Sequence, residues 1–358
     1  MKRMLFVVLT MAMVAGLFGC APAATPAPAA AAPAAEAAAP AAPAAEEAAA
    51  PAAPAAKKVK IGLSMDSLES AFWVANHTAM QNKAKEMGVE MVEAMAEGDP
   101  NKQNQQVENL IAQGVTALII APKDGAAIVA AIKKAKEAGI PVIMNNRPVQ
   151  GDVKPELQIL SDNYVMAKEA LQWFVDKARA EKKTYKALLL IGNLGDENAV
   201  ERKKGHTEIL EASKDVIEVV AEVPTEWKHE VALAGMQNAF QAHPDIDLII
   251  TPSDFLFPPI KSVLEQTNHW KKIGEEGHVA IVSFDGDEVG MQYLKDGYNW
   301  VDAAQSADNT GNLAVEWAVK LSNGEKPDED VFRDPGVIAN IDNCKEVCPS
   351  VWGWSMVK

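Results

Sequence analysis

From Val59 onward, short runs of β-branched and aliphatic residues alternate with longer stretches whose apolar positions recur at helical spacing. VKIGLS (59–64), VEMVEA (89–94), TALIIA (116–121), PVIM (141–144) and LQIL (157–160) read as strands. Between them 72–87, 101–113 and 124–138 read as helices, with Gly88, Gly114 and Gly139 at their stops. A second series follows: KALLLIG (186–192), VIEVVAEV (216–223), DLIIT (247–251), HVAIVSF (278–284) and WVDAA (300–304). Its helices fall at 164–180, 198–213, 229–242, 254–268 and 287–295. Continuous apolar strands separated by helices predict parallel sheets covered on both faces. Two such series predict two doubly wound α/β lobes.

Open parallel sheets gather ligands beyond the carboxyl ends of their strands. The residues at those ends are polar and aromatic: Asp66, Ser70, Phe72 and Trp73 after the first strand, 121–124 after the third, and Asn145, Asn146 and Arg147 after the fourth. In the second series they are 193–198 with Arg202, Glu226 and Trp227, 251–254, Asp285 to Asp287, and Gln305. No nucleophile–base pair or metal cluster stands out among them, which argues against a sugar-modifying enzyme and predicts no catalytic residue, metal or cofactor. Asp285 and Asp287 have the spacing that opens a calcium loop, but Val289 follows where a ligand is needed. Gly192 and Gly195 complete neither nucleotide-binding fingerprint. Arginines, carboxylates, amides and large rings together suit a neutral polyhydroxylated molecule: hydroxyls take paired donors and acceptors, and ring faces take flat aromatic partners.

Before Val59 the chain is different in kind. Met1-Lys2-Arg3 followed by the apolar run Met4–Leu17 reads as a secretory signal, too short for a permanent span of about 20 residues. It ends in Leu17-Phe18-Gly19-Cys20, which resembles the lipobox of bacterial lipoproteins and implies cleavage before Cys20, lipidation of that residue and a membrane held through the N-terminal lipid alone. Residues 21–56 are Ala and Pro except for Thr25, Glu36, Glu46 and Glu47. They cannot build a core, and at ~3.1 Å per residue they form a tether reaching at most roughly 110 Å. The predicted division is a signal over 1–19, the lipidated Cys and tether over 20–56, and folded chain from 57 on.

The formal net charge of −15 speaks against nucleic acid, which needs clustered Lys and Arg. Of the three cysteines, Cys344 and Cys348 remain after Cys20; in an exported chain they are expected to pair as a disulfide that pins the tail.

The motifs AFWV, DPNKQNQQVENLIAQGVTALIIAP, AGIPVIMNNRP, VERKKG, VSFDGDEVG and AAQSADNTG occur in order from Val59 to about Ile341. In that order and spacing they resemble the ribose-binding-protein family, periplasmic sugar-binding components of ABC transporters. The resemblance implies a type I periplasmic-binding-protein fold: lobe 1 from 57–161 plus 306–334, lobe 2 from 162–305 plus 335–358, and a three-segment hinge. It implies that Phe72 and Trp73 sandwich a sugar ring with Trp227 from the other lobe. Arg147, Arg202, Asp285 and Gln305 match the family's hydrogen-bonding positions. The implied ligand set is completed by Asp66, Ser70, Asn146 and Ser253. Ribose binders carry Asn where this chain has Ser70, Ala121 and Ser253, and Asp where it has Asn146, so a larger or differently substituted sugar or a polyol is expected rather than ribose. The implied function is a monomeric, exported solute-binding lipoprotein that closes on a monosaccharide or polyol and delivers it to an ABC permease. The alternative is a sensor module that presents its closed form to a chemoreceptor or sensor kinase.

Overall fold

The computed structural model describes residues 58–357. The signal, the tether and Cys20 lie outside the described residues. The first layer of elements is β1 (Lys60–Met65), α1 (Ala71–Glu86), β2 (Glu90–Met95), α2 (Pro100–Ala112), β3 (Ala117–Ala121), α3 (Val129–Glu137), β4 (Val142–Asn146) and β5 (Leu157–Ser161). The chain then passes into α4 (Asn163–Glu181), β6 (Tyr185–Ile191), α5 (Glu197–Ala212), β7 (Ile217–Pro224), α6 (His229–Ala242) and β8 (Leu248–Ile250). It continues through α7 (Phe257–Gln266), β9 (Ala280–Asp285), α8 (Glu288–Asp296) and β10 (Val301–Ala304). The last elements are α9 (Ala307–Ser322), β11 (Val331–Asp334), β12 (Val337–Asn340) and α10 (Cys344–Val347), with 3-10 turns at Asp254–Leu256, Cys348–Ser350 and Trp352–Met356.

Two six-stranded sheets result, ordered β11-β5-β4-β3-β1-β2 and β12-β10-β9-β8-β6-β7. Each sheet is wrapped by helices over apolar clusters on both faces. Phe174 on α4 is 1 % exposed, wedged between the rings of Tyr185 and Trp300 at 4.9 and 5.7 Å. Burying a side chain of that size contributes on the order of 1.5–3 kcal/mol. This is the predicted pair of parallel α/β lobes, with two differences. The strands β11 and β12 went unread, and β12 runs antiparallel to β10. Both are only four residues long, with one buried residue in β11 and two in β12, too short a signal to stand out from the surrounding chain.

Two helices also begin later than their pattern suggests. Asp124 caps a turn by accepting from the N–H groups of Ala126 and Ala127 at 2.8 Å, and α3 starts only at Val129. The stretch 254–268 opens as a 3-10 turn before α7, because Pro258 and Pro259 have no N–H to donate back into that turn.

The polypeptide passes between the sheets at three places, and Asp334 joins them. Its carboxylate accepts from Ser306 Oγ at 2.7 Å, Asn309 Nδ2 at 2.8 Å and the Gly336 N–H at 2.8 Å. Its carbonyl accepts from the Asp162 N–H at 2.8 Å. Cys344 and Cys348 are joined as a disulfide beside the C-terminus. Among the described residues, no helix is long and apolar enough to cross a membrane.

Candidate ligand-binding site

The carboxyl ends of both sheets face one cleft. Helix capping explains why its polar groups stand where they do. Ser70 caps α1 by accepting from the Trp73 N–H at 3.4 Å, and Asp196 caps α5 through the Asn198 N–H at 3.0 Å. Asp287 caps α8 through Val289 and Gly290. The caps at Ser70 and Asp196 bring the first turns of α1 and α5 to the cleft.

From the first lobe come Asp66 beyond β1, Phe72 and Trp73 at the start of α1, and Asn146 and Arg147 at the end of β4. Phe72 and Trp73 pack edge to face, centroids 5.2 Å apart. Phe72 is part of the first-lobe core cluster and also lines the cleft, so this ring serves both. Arg147 Nη1 donates to Asp66 Oδ2 at 2.8 Å and to the Pro122 carbonyl at 3.2 Å. Its guanidinium carbon sits 5.1 Å from the centre of the Trp73 ring. Burial acts to lower the Arg147 pKa, but the adjacent Asp196 and Asp66 outweigh it and hold the group firmly charged.

The second lobe supplies a more tightly bonded wall. Arg202 is buried over the face of Phe284 and donates to Asn163 Oδ1 at 2.7 Å, the Pro252 carbonyl at 2.6 Å and Asp285 Oδ1 at 3.2 Å. Asp285 also accepts from Gln305 Nε2 at 2.6 Å and from the Ser253 hydroxyl. Burial lowers the Arg202 pKa and raises that of Asp285, in each case against the pull of the partner. Trp227 donates its indole N–H to Asp196 Oδ2 at 3.1 Å. Its ring lies so close to Gly192 that a Cβ there would fall 2.2 Å from Trp227 Cζ2. Glycine at 192 is therefore a requirement of the ring's position.

Cross-lobe bonds close the cleft. Arg147 Nη2 lies 3.0 Å from Asp196 Oδ2. Asn146 donates to Gln305 Oε1 at 3.0 Å and accepts from Asn198 Nδ2 at 2.7 Å. Backbone strain concentrates at the same place: Asn146, Trp227 and Asp285 have φ of +62°, +54° and +118°. A tryptophan or aspartate at positive φ persists only where surrounding contacts over-determine it.

Each of the eleven residues expected to meet a ligand lines this cleft: Asp66, Ser70, Phe72, Trp73, Asn146, Arg147, Arg202, Trp227, Ser253, Asp285 and Gln305. Two of them have hydroxyls committed to protein, Ser70 as a helix cap and Ser253 as a donor to Asp285. Ser67, Glu69, Lys123, Asp196, Asn198 and Phe255 line it too. The strand-end rule had gathered Lys123, Asp196 and Asn198 without selecting them. The signal for Asp196 was its place as an N-cap just ahead of a helix. Phe255, whose neighbour His229 stacks on it at 4.1 Å, was hidden by the unread 3-10 turn.

The cleft leaves about 80 Å³ for the centres of water molecules. That space admits several waters, and hence a small molecule. Three cations, Arg147, Arg202 and Lys123, face four carboxylates, Asp66, Glu69, Asp196 and Asp285, so an anion finds no uncompensated positive charge. Asp66 Oδ1 and Arg147 Nε are buried and have no protein partner. Among the described residues, no group of three or more His, Cys, Asp or Glu is placed to hold a metal ion.

A hinged pair of doubly wound lobes with a polar, aromatic-walled cleft at the strand ends defines a solute-binding protein. Residues 61–326 match the periplasmic binding protein domain. The chain is 30% identical over 270 residues to the ribose import binding protein of Bacillus subtilis (strain 168), covering 75% of this chain and 84% of that one. It is 29% identical over 285 residues to the D-xylose-binding periplasmic protein of Escherichia coli (strain K12), covering 78% and 83%. Among solved structures it resembles an ABC transporter solute binding protein from Mycobacterium smegmatis with bound glycerol: TM-score 0.71, 26% identity, covering 81% of this chain and 96% of the other. The chain belongs to the periplasmic binding protein family, in its ribose-binding-like, extracytoplasmic branch. Members of this branch are solute-binding components of ABC importers and not enzymes.

Proposed function

We propose that this protein captures a monosaccharide or polyol between its lobes and delivers it to an ABC permease, and that Cys20 carries lipid anchoring it to the membrane outside the cytoplasm. The observation that carries the ligand class is a charge-balanced cleft walled by Trp73 and Trp227 and lined by Arg147, Asp66, Asp285 and Gln305. Sugar hydroxyls suit such a lining, donating to its carboxylates and accepting from its guanidinium and amide groups, while apolar sugar faces take the indole rings. The names of the relatives, which bind ribose, D-xylose and glycerol, support the same class.

The eleven cleft residues then divide the work. Trp73 and Trp227 cover apolar faces of the sugar from opposite lobes, and Arg147 with Asp66 engages hydroxyls from the first. Asp285, fixed by Arg202, Ser253 and Gln305, accepts a hydroxyl from the second. Touching both lobes, the ligand favours closure through its differential contacts. The crossings tied by Asp334 serve as hinge between a lobe of 57–161 plus 306–334 and one of 162–305 plus 335–358. A permease reading the closed shape then tells loaded from empty protein.

Calorimetric titration with D-ribose, D-xylose, glycerol and myo-inositol, with D-ribose 5-phosphate as an anionic control, tests the ligand class. Saturable binding of at least one neutral compound and rejection of the phosphate is the expected result. Binding of the phosphate alone overturns it.

A further inference from the structure

The C-terminal segment reaches back to the cleft. Gly353 approaches the turn after Asp285 so closely that a Cβ there would fall 2.3 Å from Gly286 O and 2.5 Å from the Asp287 carbonyl carbon. Cys348 and Val351 are buried with Met291, Leu294 and Ala304 beneath it. The tail is thus seated on the turn that carries Asp285, with the Cys344–Cys348 bond just ahead of it.

Trp352 is the tail residue that addresses both lobes. Its indole N–H donates to the Asp285 carbonyl at 3.2 Å. The same side chain packs against two separate apolar clusters: the tail cluster of the second lobe, and the first-lobe cluster that contains Phe72 and Trp73. Asp285 needs such support, because its φ of +118° is one an L residue avoids. Its carbonyl takes a second bond from the Gln305 N–H at 3.1 Å. Donors on that carbonyl fix the peptide plane beyond Asp285 and so hold the strained backbone from which the carboxylate projects.

We propose that Trp352 is a positioning residue and an inter-lobe latch. Its N–H holds Asp285 in its strained, ligand-facing geometry, and its ring, wedged between the lobes, favours the closed form. The positioning half rests on the cleft being the ligand site; the latch half does not. Trp352→Phe separates the two, since phenylalanine keeps a ring between the lobes and loses the donor.

The full chain and its Trp352→Ala and Trp352→Phe variants are compared by small-angle scattering without sugar. They are then titrated calorimetrically with whichever of D-ribose, D-xylose, glycerol and myo-inositol the parent binds. The alanine variant is expected to show a larger radius of gyration, and the phenylalanine variant the parent's radius. Binding weakens about fivefold in the phenylalanine variant, the worth of one ordinary hydrogen bond, and further in the alanine variant. A tail that merely stabilises its own lobe would lower both melting temperatures while leaving radius and affinity at the parent's values, and that result overturns the proposal. If the parent binds none of the four compounds, the reading of the cleft fails, while the scattering comparison still decides the latch.

Discussion

Arg147 joins the two lobes through one guanidinium: Nη1 lies 2.8 Å from Asp66 Oδ2 on its own side of the cleft, and Nη2 lies 3.0 Å from Asp196 Oδ2 on the other. Asp196 also accepts the Trp227 indole N–H, so this one carboxylate sets the cross-lobe ion pair and the position of a cleft ring together. Asp196→Ala removes both. Arg147 retains Asp66, so the loss is that of a charged hydrogen bond and not of a wholly unpaired charge, on the order of 1.5–3 kcal/mol. Affinity is expected to fall at least about tenfold by calorimetry, with a modest fall in melting temperature. Unchanged affinity would show that the cross-lobe pair is incidental to binding.

The ring itself makes a separate prediction. Trp227 is held by Asp196 and by its contact with Gly192, and it lines the cleft from the second lobe. Stacking on a sugar face contributes on the order of 1 kcal/mol beyond area burial. Trp227→Ala should weaken binding about tenfold, and Trp227→Phe by less. Alanine keeps the Cβ and therefore the strained φ of +54°, and it loses the bond to Asp196, so a small fall in unliganded melting temperature is expected beside the loss of affinity.

A buried carboxyl group beneath the site gives the protein a pH dependence. Asp302 accepts from Ser283 Oγ at 2.8 Å, and burial pushes its pKa up to about 7. Burial and the neighbouring carboxylates, first Asp302, hold Asp254 well above the ordinary range. A carboxyl whose folded pKa is raised stabilises the fold below its unfolded value, 3.8, and loses that contribution as pH rises through about 7. Melting temperature should therefore contain a component that declines across that window. Asp302→Asn supplies a permanently neutral group there and should flatten the decline, with its advantage over the parent largest above pH 7. A variant whose curve parallels the parent's from pH 4 to 8 would show that Asp302 titrates normally.

Much of the site was legible because in doubly wound sheets the strand ends are where ligands gather, and apolar strands are easily located. Asp66, Arg147, Trp227 and Asp285 each follow such a strand end in the sequence. What escaped shares a different physical character. The strands β11 and β12 are only four residues long and partly buried, so their apolar signal is short, and the antiparallel edge followed from pairing alone. Phe255 hid in a turn that two prolines keep from joining α7. Asp334 and Trp352 act through contacts with residues far away in sequence, Ser306 and Asp285, which local pattern does not encode.

Whether a neutral polyhydroxylated ligand is held between the lobes is decided by what the protein carries from its own cell. Native mass spectrometry of the chain purified from its host, followed by release and identification of the bound molecule, should find one monosaccharide or polyol per chain. The same preparation of Trp227→Ala or Asp285→Ala should arrive empty or nearly so. A phosphorylated or otherwise anionic compound, or a peptide, bound one per chain and lost in those variants would contradict the account.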